Sequence, residues 1–255
     1  MAHSPTLEGK KLLITGAASG MGRALADIAV AQGADVALFD INADGLDKAK
    51  QELEGADSKV VTIPADLTQW AQVESGVNHA LEELGGIDAL CNVAGWDEPG
   101  RFWEQSLEFW EKIININLWS NLYMTRAVVP KLIEQNSGTI VNVASDAGRV
   151  GSKGETVYAA SKGGVIALTK SLARELAPYT VTVNAVCPGP TMTPLLQSEI
   201  DLTPKLIEKL VRAIPLRRVA EPADPAAVVA FFASDAASYM TGQVVSVSGG
   251  LTMAG

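Results

Sequence analysis

Histidine is nearly missing from this chain of 255 residues: His3 and His79 are the only two. A histidine metal cluster or a Ser-His-Asp triad is hard to assemble from them, so no metal site is expected. Cysteine is equally scarce. Cys91 and Cys187 both sit in apolar, strand-like runs, which predicts buried reduced thiols in a cytoplasmic protein rather than a disulfide framework. No apolar run reaches the ~20 residues that span a bilayer. The opening Met1-Ala2-His3-Ser4-Pro5-Thr6 lacks the charged and apolar regions of a secretory signal, and no membrane partner is expected. Basic excess is absent too: the net charge of -9 argues against nonspecific nucleic-acid binding. Anionic small ligands remain open, because backbone N–H groups can hold them. There is no internal repeat, low-complexity tract or linker. With 47% hydrophobic residues the chain can bury a core unaided, and a single domain over 1–255 is expected.

What is present is an alternation of short apolar runs with amphipathic stretches. Lys11–Thr15, Asp35–Asp40, Lys59–Ile63, Asp88–Asn92, Thr139–Ser145, Thr180–Val186 and Gln243–Val247 are rich in Val, Ile and Leu. Strands buried on both faces read this way. Gln69–Leu84 sets Val73, Val77, Leu81 and Leu84 on one helical face. Glu108–Gln135 is a longer helical pattern that Pro130 is expected to kink or divide. The alternation predicts an α/β fold, a doubly wound parallel sheet of seven strands with helices on both faces. Pro188–Pro215 breaks the rhythm with four prolines and a helical run, Pro204–Ala213. An insertion over about 189–215 is expected to form a mobile flap over a site.

The first strand runs directly into Gly16-Ala17-Ala18-Ser19-Gly20-Met21-Gly22, where a helical pattern starts. A glycine-rich turn at a helix N-terminus lets N–H groups approach a pyrophosphate, and the helix dipole favours its charge. A flexible surface turn is the competing reading. Asp40 ends the next strand, where a carboxylate can accept from ribose hydroxyls and repel a 2′-phosphate. Neither Ser19 nor Ile41 is basic, so NAD is favoured over NADP. A helix N-cap is the other role open to Asp40. Asp66, after the third strand, could contact adenine or cap its loop. Asn92-Val93-Ala94-Gly95 would let backbone lie against the cofactor.

Tyr158 and Lys162 are spaced i, i+4 and share a helix face. A tyrosine titrates near pH 10, and a nearby ammonium lowers that value, so the pair suits proton exchange with a substrate oxygen. An ordinary surface pair is the alternative, opposed by the small neighbours Ala159, Ala160, Gly163 and Gly164. Ser145 ends the fifth predicted strand, the end at which open parallel sheets bind ligands. Asn117 lies in the apolar run Ile113-Ile114-Asn115-Ile116-Asn117-Leu118 and needs buried partners, through a water or through packing.

In this order, Thr15-Gly16-x-x-x-Gly20-x-Gly22, Asp66-Leu67, Asn92-x-Ala94-Gly95, Asn117, Ser145, Tyr158-x-x-x-Lys162 and Asn184-x-Val186-x-Pro188-Gly189 resemble the short-chain dehydrogenase/reductase family over nearly the whole chain. The resemblance implies a Rossmann-like domain and a tetrad of Asn117, Ser145, Tyr158 and Lys162. In it Tyr158 is the acid/base, and Lys162 holds the nicotinamide ribose and lowers the tyrosine pKa. Ser145 orients the substrate oxygen, and Asn117 holds a relay water. It further implies cofactor contacts from Met21, Leu67, Pro188 and Gly189, with backbone at Thr191 and the Thr193 side chain at the nicotinamide carboxamide. It also implies a homotetramer. Cys91 departs from the usual Asn, while Asn92 keeps the main role.

A narrower likeness lies in Ala94-Gly95-Trp96-Asp97, Ala144–Gly151, Val186–Thr191 and Ser246–Met253, which look like 2-hydroxycyclohexanecarboxyl-CoA dehydrogenases. A CoA ester would need cations, for which Arg149, Lys153, Lys205, Lys209 and Arg212 are candidates or plain surface charge. Trp96, Trp103, Met192, Leu195 and Leu196 could wall an apolar pocket or simply pack. The expectation is an NAD-dependent oxidoreductase interconverting a secondary alcohol and a ketone, specifically an alicyclic 2-hydroxyacyl-CoA. Two alternatives stand beside it: a 3-oxoacyl-thioester reductase and a non-catalytic dinucleotide-binding scaffold.

Overall fold

A computed structural model of the chain describes residues 6–53 and 57–254; His3 and the N-terminal pentapeptide lie outside them. Its strands are β1 (Lys11–Thr15), β2 (Asp35–Asp40), β3 (Val60–Pro64), β4 (Ala89–Asn92), β5 (Gly138–Val143), β6 (Val181–Pro188) and β7 (Val244–Val247). They form one parallel seven-stranded sheet in the order β3-β2-β1-β4-β5-β6-β7. The chain winds outward from β1 to β3, then crosses back to lay β4 beside β1. The carboxyl ends of β1 and β4 therefore flank a topological switch point, where such sheets open a crevice.

Helices cover both faces. They are α1 (Gly20–Ala31), α2 (Ala43–Leu53), α3 (Trp70–Leu84), α4 (Leu107–Ile114), α5 (Ser120–Gln135), α6 (Asp146–Val150), α7 (Thr156–Leu176), α8 (Pro194–Leu202), α9 (Leu206–Ala213) and α10 (Ala223–Ala233). Strand alternation divides the core. Leu12 and Ile14 of β1 pack with Leu25 of α1 and with Val229 and Phe232 of α10. Leu13 points the other way, among Val73 and Val77 of α3 and Met124, Val128 and Leu132 of α5. Each such side chain, fully buried, contributes about 1.5–3 kcal/mol. That two-sided burial is why the strands read as continuous apolar runs.

Three expectations need correction. Strand β5 ends at Val143, and Ser145 is instead the N-cap of α6, its Oγ accepting from Ala147 N at 3.1 Å. The long helical pattern is not divided at Pro130, which sits inside α5 on an exposed turn where water can take the freed carbonyl. It breaks earlier, at a π turn over Asn115–Trp119. The stretch after β6 holds two helices, α8 and α9, where one was expected. Neither of them buries a residue fully. Cys91 and Cys187 are buried free thiols. Among the described residues, no helix is long and apolar enough to cross a membrane.

Candidate active site

A cavity of about 990 Å³ opens at the switch point. One end is built from backbone. Gly16 and Gly20 adopt left-handed φ of 68° and 55°, a region open to glycine at no steric cost. A Cβ on Gly22 would stand 2.2 Å from Gly16 O, so only glycine lets α1 start this close to the strand. Ser19 precedes α1 without a side-chain cap, and no acidic residue lies in the first turn. The leading N–H groups of α1 therefore face the cavity unneutralised, the arrangement a pyrophosphate requires. Gly16, Ser19, Gly20, Met21 and Gly22 all line the cavity.

Asp40 lines the same end. Its Oδ2 accepts from Ala18 N at 3.1 Å and its Oδ1 from Asn42 N at 2.9 Å. The capping role open to it belongs instead to Asn42, whose Oδ1 accepts from Gly45 N at 3.0 Å. Asp40 is thus fixed by the glycine turn. Asp66 and Leu67 also line the cavity. Asp66 Oδ1 is engaged locally, accepting from Thr68 N at 2.9 Å and Thr68 Oγ1 at 2.7 Å. No Lys or Arg lines the cavity near Asp40, and Arg23 is held by Asp27 and Glu52. The cradle, the uncapped helix start and the fixed carboxylate fit a dinucleotide.

The other end carries titratable groups. Tyr158, Lys162, Val143, Ala144 and Gly95 line it. Ser145, held in place by the α6 cap, is near enough to the Tyr158 phenol to lower its pKa, although neither Ser145 nor Asn117 lines the cavity. Lys162 is 2% exposed and donates from Nζ to Val143 O at 2.9 Å, 5.7 Å from the Tyr158 ring centroid. Burial pushes the Tyr158 phenol well above its ordinary value, against a smaller lowering by Ser145. Lys162 is not among the groups that shift the phenol, so the expected lowering by it is not seen, and desolvation pushes Lys162 itself down to about 8. The phenol is therefore held neutral, as a proton donor.

Asn117 stands in the π turn and is 1% exposed. Its Nδ2 donates to Trp96 O at 2.7 Å and Ile113 O at 2.9 Å, while Oδ1 accepts from Trp96 N at 3.2 Å. Both N–H groups are taken by protein, so the side chain fixes the Trp96 segment of the wall.

Four expected cofactor residues do not line this cavity. Asn92 turns inward, its Nδ2 donating to Asn142 Oδ1 at 3.0 Å and to Thr125 and Asn121 at 3.3 Å. Asn142 Nδ2 continues to Thr169 Oγ1 on α7 at 2.9 Å. Thr169 shares the helix face of Tyr158 and Lys162, so this buried spine sets the rotation of α7 against the sheet. Pro188 closes β6, Gly189 packs on Ser248, and Thr191 Oγ1 donates to Gly189 O at 3.0 Å. Thr193 does line the cavity and caps α8 through Leu196 N at 3.5 Å, and backbone at Ala94 also lines it. Among the described residues, no group of three or more His, Cys, Asp or Glu side chains could hold a metal.

Sequence reasoning overlooked the Asn92–Asn142–Thr169 spine and the side chain of Asp97. The signal available was polar residues inside otherwise apolar runs. Arg149, a proposed phosphate contact, is instead engaged with Ser246 Oγ at 2.9 Å and the Ala254 carbonyl.

The family model described as enoyl-(acyl carrier protein) reductase matches residues 16–252. The 3-oxoacyl-(acyl-carrier-protein) reductase FabG of Thermotoga maritima is 42% identical, covering 97% of this chain and 99% of its own length. A 7α-hydroxysteroid dehydrogenase complexed with NADH and 7-oxoglycochenodeoxycholic acid superposes with a TM-score of 0.92 at 30% identity, covering 96% of this chain and 95% of its own. A Brucella melitensis 3-oxoacyl-(acyl-carrier-protein) reductase with bound NAD gives 0.89 at 33%, covering 98% and 94%. The chain belongs to the short-chain dehydrogenase/reductase family. It is an oxidoreductase of alcohols and ketones that uses a nicotinamide cofactor.

Proposed function

We propose that this chain is an NAD-dependent dehydrogenase acting on a secondary alcohol or its ketone. One observation carries the reading. Tyr158 and Lys162 line one end of a continuous cavity, and the glycine turn with Asp40 lines the other. When bound, the nicotinamide supplies the hydride acceptor or donor. The remaining work falls to the chain. Ser145 and Tyr158 hydrogen-bond the substrate oxygen. The neutral phenol gives its proton to a ketone oxygen and recovers one from an alcohol. Lys162 keeps a positive charge at neutral pH and steadies the phenolate while it exists. Gly16–Gly22, Asp40, Asp66 and Thr193 would hold the dinucleotide, with Asp40 selecting NAD by repelling a 2′-phosphate. Asn117 positions Trp96.

Within that class the specific substrate we propose is an alicyclic 2-hydroxyacyl-CoA. The exposed Lys153, Lys205 and Lys209 remain available for its phosphates. A homotetramer in the cytoplasm belongs to the same reading. Exposed Trp70, Trp119 and Tyr239 are surfaces a partner subunit could cover, and the buried thiols suit a reducing compartment. The Thermotoga relative's name favours a second reading, a 3-oxoacyl-thioester reductase.

The test is to replace Tyr158 with Phe and follow reduced-nicotinamide absorbance across alcohols, hydroxyacyl-CoAs and 3-oxoacyl thioesters with both cofactors. Turnover should fall by at least about a hundredfold, the scale of lost general acid–base catalysis, with NADH affinity unchanged. Full activity in Tyr158→Phe would refute the assignment. NADPH preference with oxoacyl thioesters would favour the second reading. Cofactor binding without turnover on any substrate would favour the non-catalytic scaffold.

A further inference from the structure

The helix that Ser145 caps is held by a strand that does not line the cavity. Helix α6 is five residues long, Asp146–Val150, too short to persist without tertiary support. On one side it seats on α7. A Cβ on Gly148 would lie 2.7 Å from Lys162 C and 2.8 Å from Gly163 N, so the two helices meet at the lysine whose Nζ reaches Val143 O. Ala144, just before Ser145, lines the cavity.

On the other side a polar network joins α6 to β7. Arg149 is half-buried and donates from Nη1 to Ser246 Oγ at 2.9 Å and to Val244 O at 3.3 Å. Its Nη2 donates to the Ala254 carbonyl. Ser246 Oγ in turn donates to Asp146 Oδ1. Both ends of α6 are thus bound to one strand. That strand is itself tied down: Gly189 N donates to Val247 O at 3.1 Å, and Leu216 N to Gly249 O at 3.0 Å. Arg149 pairs with no carboxylate among the described residues. Asp146 is 6% exposed, and its Oδ2 has no hydrogen-bond partner. A buried acceptor left unpaired costs about 1–3 kcal/mol, so stability alone does not account for this network.

We propose that Arg149 is a positioning residue for Ser145: through Ser246 and Asp146 it fixes the seat of α6 against α7, and so sets where the serine hydroxyl stands relative to Tyr158 and Lys162. This rests on the proposed function, in which Ser145 orients the substrate oxygen. It adds a residue that does not line the cavity. The bond that fixes the hydroxyl, accepted from Ala147 N at 3.1 Å, lies within the same short helix. Any shift of α6 therefore carries Ser145 with it, and a misplacement of about 1 Å can cost a hundredfold in rate.

The experiment uses whichever alcohol or ketone of the substrate panel turns over fastest. Arg149→Met keeps most of the side-chain stem and removes every donor. Its kcat should fall about ten- to hundredfold with NADH affinity unchanged. Hydrogen exchange at Ala147 N–H reads the cap with no substrate present and should quicken about tenfold or more. A double-mutant cycle separates positioning from general structural damage. In the Ser145→Ala background, Arg149→Met should lower kcat by no more than about a further twofold, because residues acting as a unit do not add. Ser246→Ala cuts the link between Arg149 and Asp146 and should show the same pattern; it decides if Arg149→Met does not fold. Wild-type kcat in a folded Arg149→Met overturns the proposal. So does unchanged exchange at Ala147, and so do losses that multiply in the double variant. Full turnover in Ser145→Ala alone would strike the role read for the serine instead, and exchange at Ala147 would still judge the hold of Arg149 on α6.

Discussion

Replacing Gly22 with Ala tests whether the glycine turn is a cofactor cradle or an ordinary loop. The new Cβ would lie 2.2 Å from Gly16 O, 2.6 Å from Gly16 C and 3.0 Å from Thr15 O. Comfortable non-bonded separations are about 3.5–4.0 Å, so the turn must move by more than an ångström. All three obstacles are backbone, and no flexible side chain can yield. Overpacking of this kind costs about 1–3 kcal/mol, offset in part by the ~1 kcal/mol that Ala gains over Gly inside a helix. Global stability should therefore drop only modestly, by up to about 2 kcal/mol. The displaced Gly16–Ser19 backbone would lose its aim at the pyrophosphate, weakening NADH about ten- to hundredfold. NADH fluorescence titration and urea denaturation separate the two effects. Gly163→Ala is the control: its Cβ would meet only Gly148 O, at an ordinary 3.5 Å. That variant should bind NADH normally and be no less stable. Wild-type NADH affinity in a folded Gly22→Ala would refute the cradle.

Asp40→Ala should narrow the preference for NAD over NADP by about tenfold or more through loss of one repelling charge, read as the ratio of kcat/KM values; an unchanged ratio removes Asp40 from cofactor selection. Lys162→Met should stabilise the protein while abolishing most turnover, a trade-off common at active sites. Burial lowers Lys162 from 10.5 to about 8, so the unfolded chain binds the extra proton between those values and stability rises with pH through that window. The interval from 8 to 10.5 corresponds to about 3 kcal/mol carried in full below pH 8. Losing the bond to Val143 offsets about 1 kcal/mol of that. Urea melts should show Lys162→Met ahead near pH 7 and level with or behind the wild type near pH 10.5; a less stable variant at pH 7 would refute the buried-charge account.

The sheet was legible because two-sided burial writes itself into composition. Leu12, Leu13 and Ile14 are apolar for different reasons, two facing α1 and α10 and one facing α3 and α5. Backbone-built parts of the site were legible as well, since Gly16, Gly20 and Gly22 are constrained by local geometry. Groups whose role depends on distant partners were harder to read. Asn92 stands in a cofactor motif, yet its side chain belongs to a spine reaching Thr169, a position no local pattern marks. Pro130 does not divide the helix, because it lies on an exposed turn where water can take the carbonyl it frees. The true break, at the π turn, is defined by Asn117 finding Ile113 and Trp96. Asp97 was read only as part of a subfamily stretch, because neither its burial nor its empty Oδ2 can be inferred from its neighbours in sequence.

The two ends of the cavity rest on opposite physics, and the parallel sheet is what joins them. At the dinucleotide end the protein presents uncharged backbone and a helix dipole, supplied by the β1 turn and fixed by Asp40 from β2. That end needs side chains to be absent. At the reacting end it buries Lys162 at a cost in stability and half-buries Tyr158 beside it. That end needs side chains whose protonation is displaced from water values. Neither could be assembled by local sequence alone. Parallel register brings the carboxyl ends of β1, β2, β4 and β5 to one edge, and the polar spine then turns α7 so that Tyr158 and Lys162 face that edge. A change that rotated α7, such as Thr169→Val, would leave every group at the cavity chemically intact. Its turnover is expected to fall while NADH affinity holds, and unchanged kcat in a folded Thr169→Val would show that the bond from Asn142 does not set the aim of Tyr158.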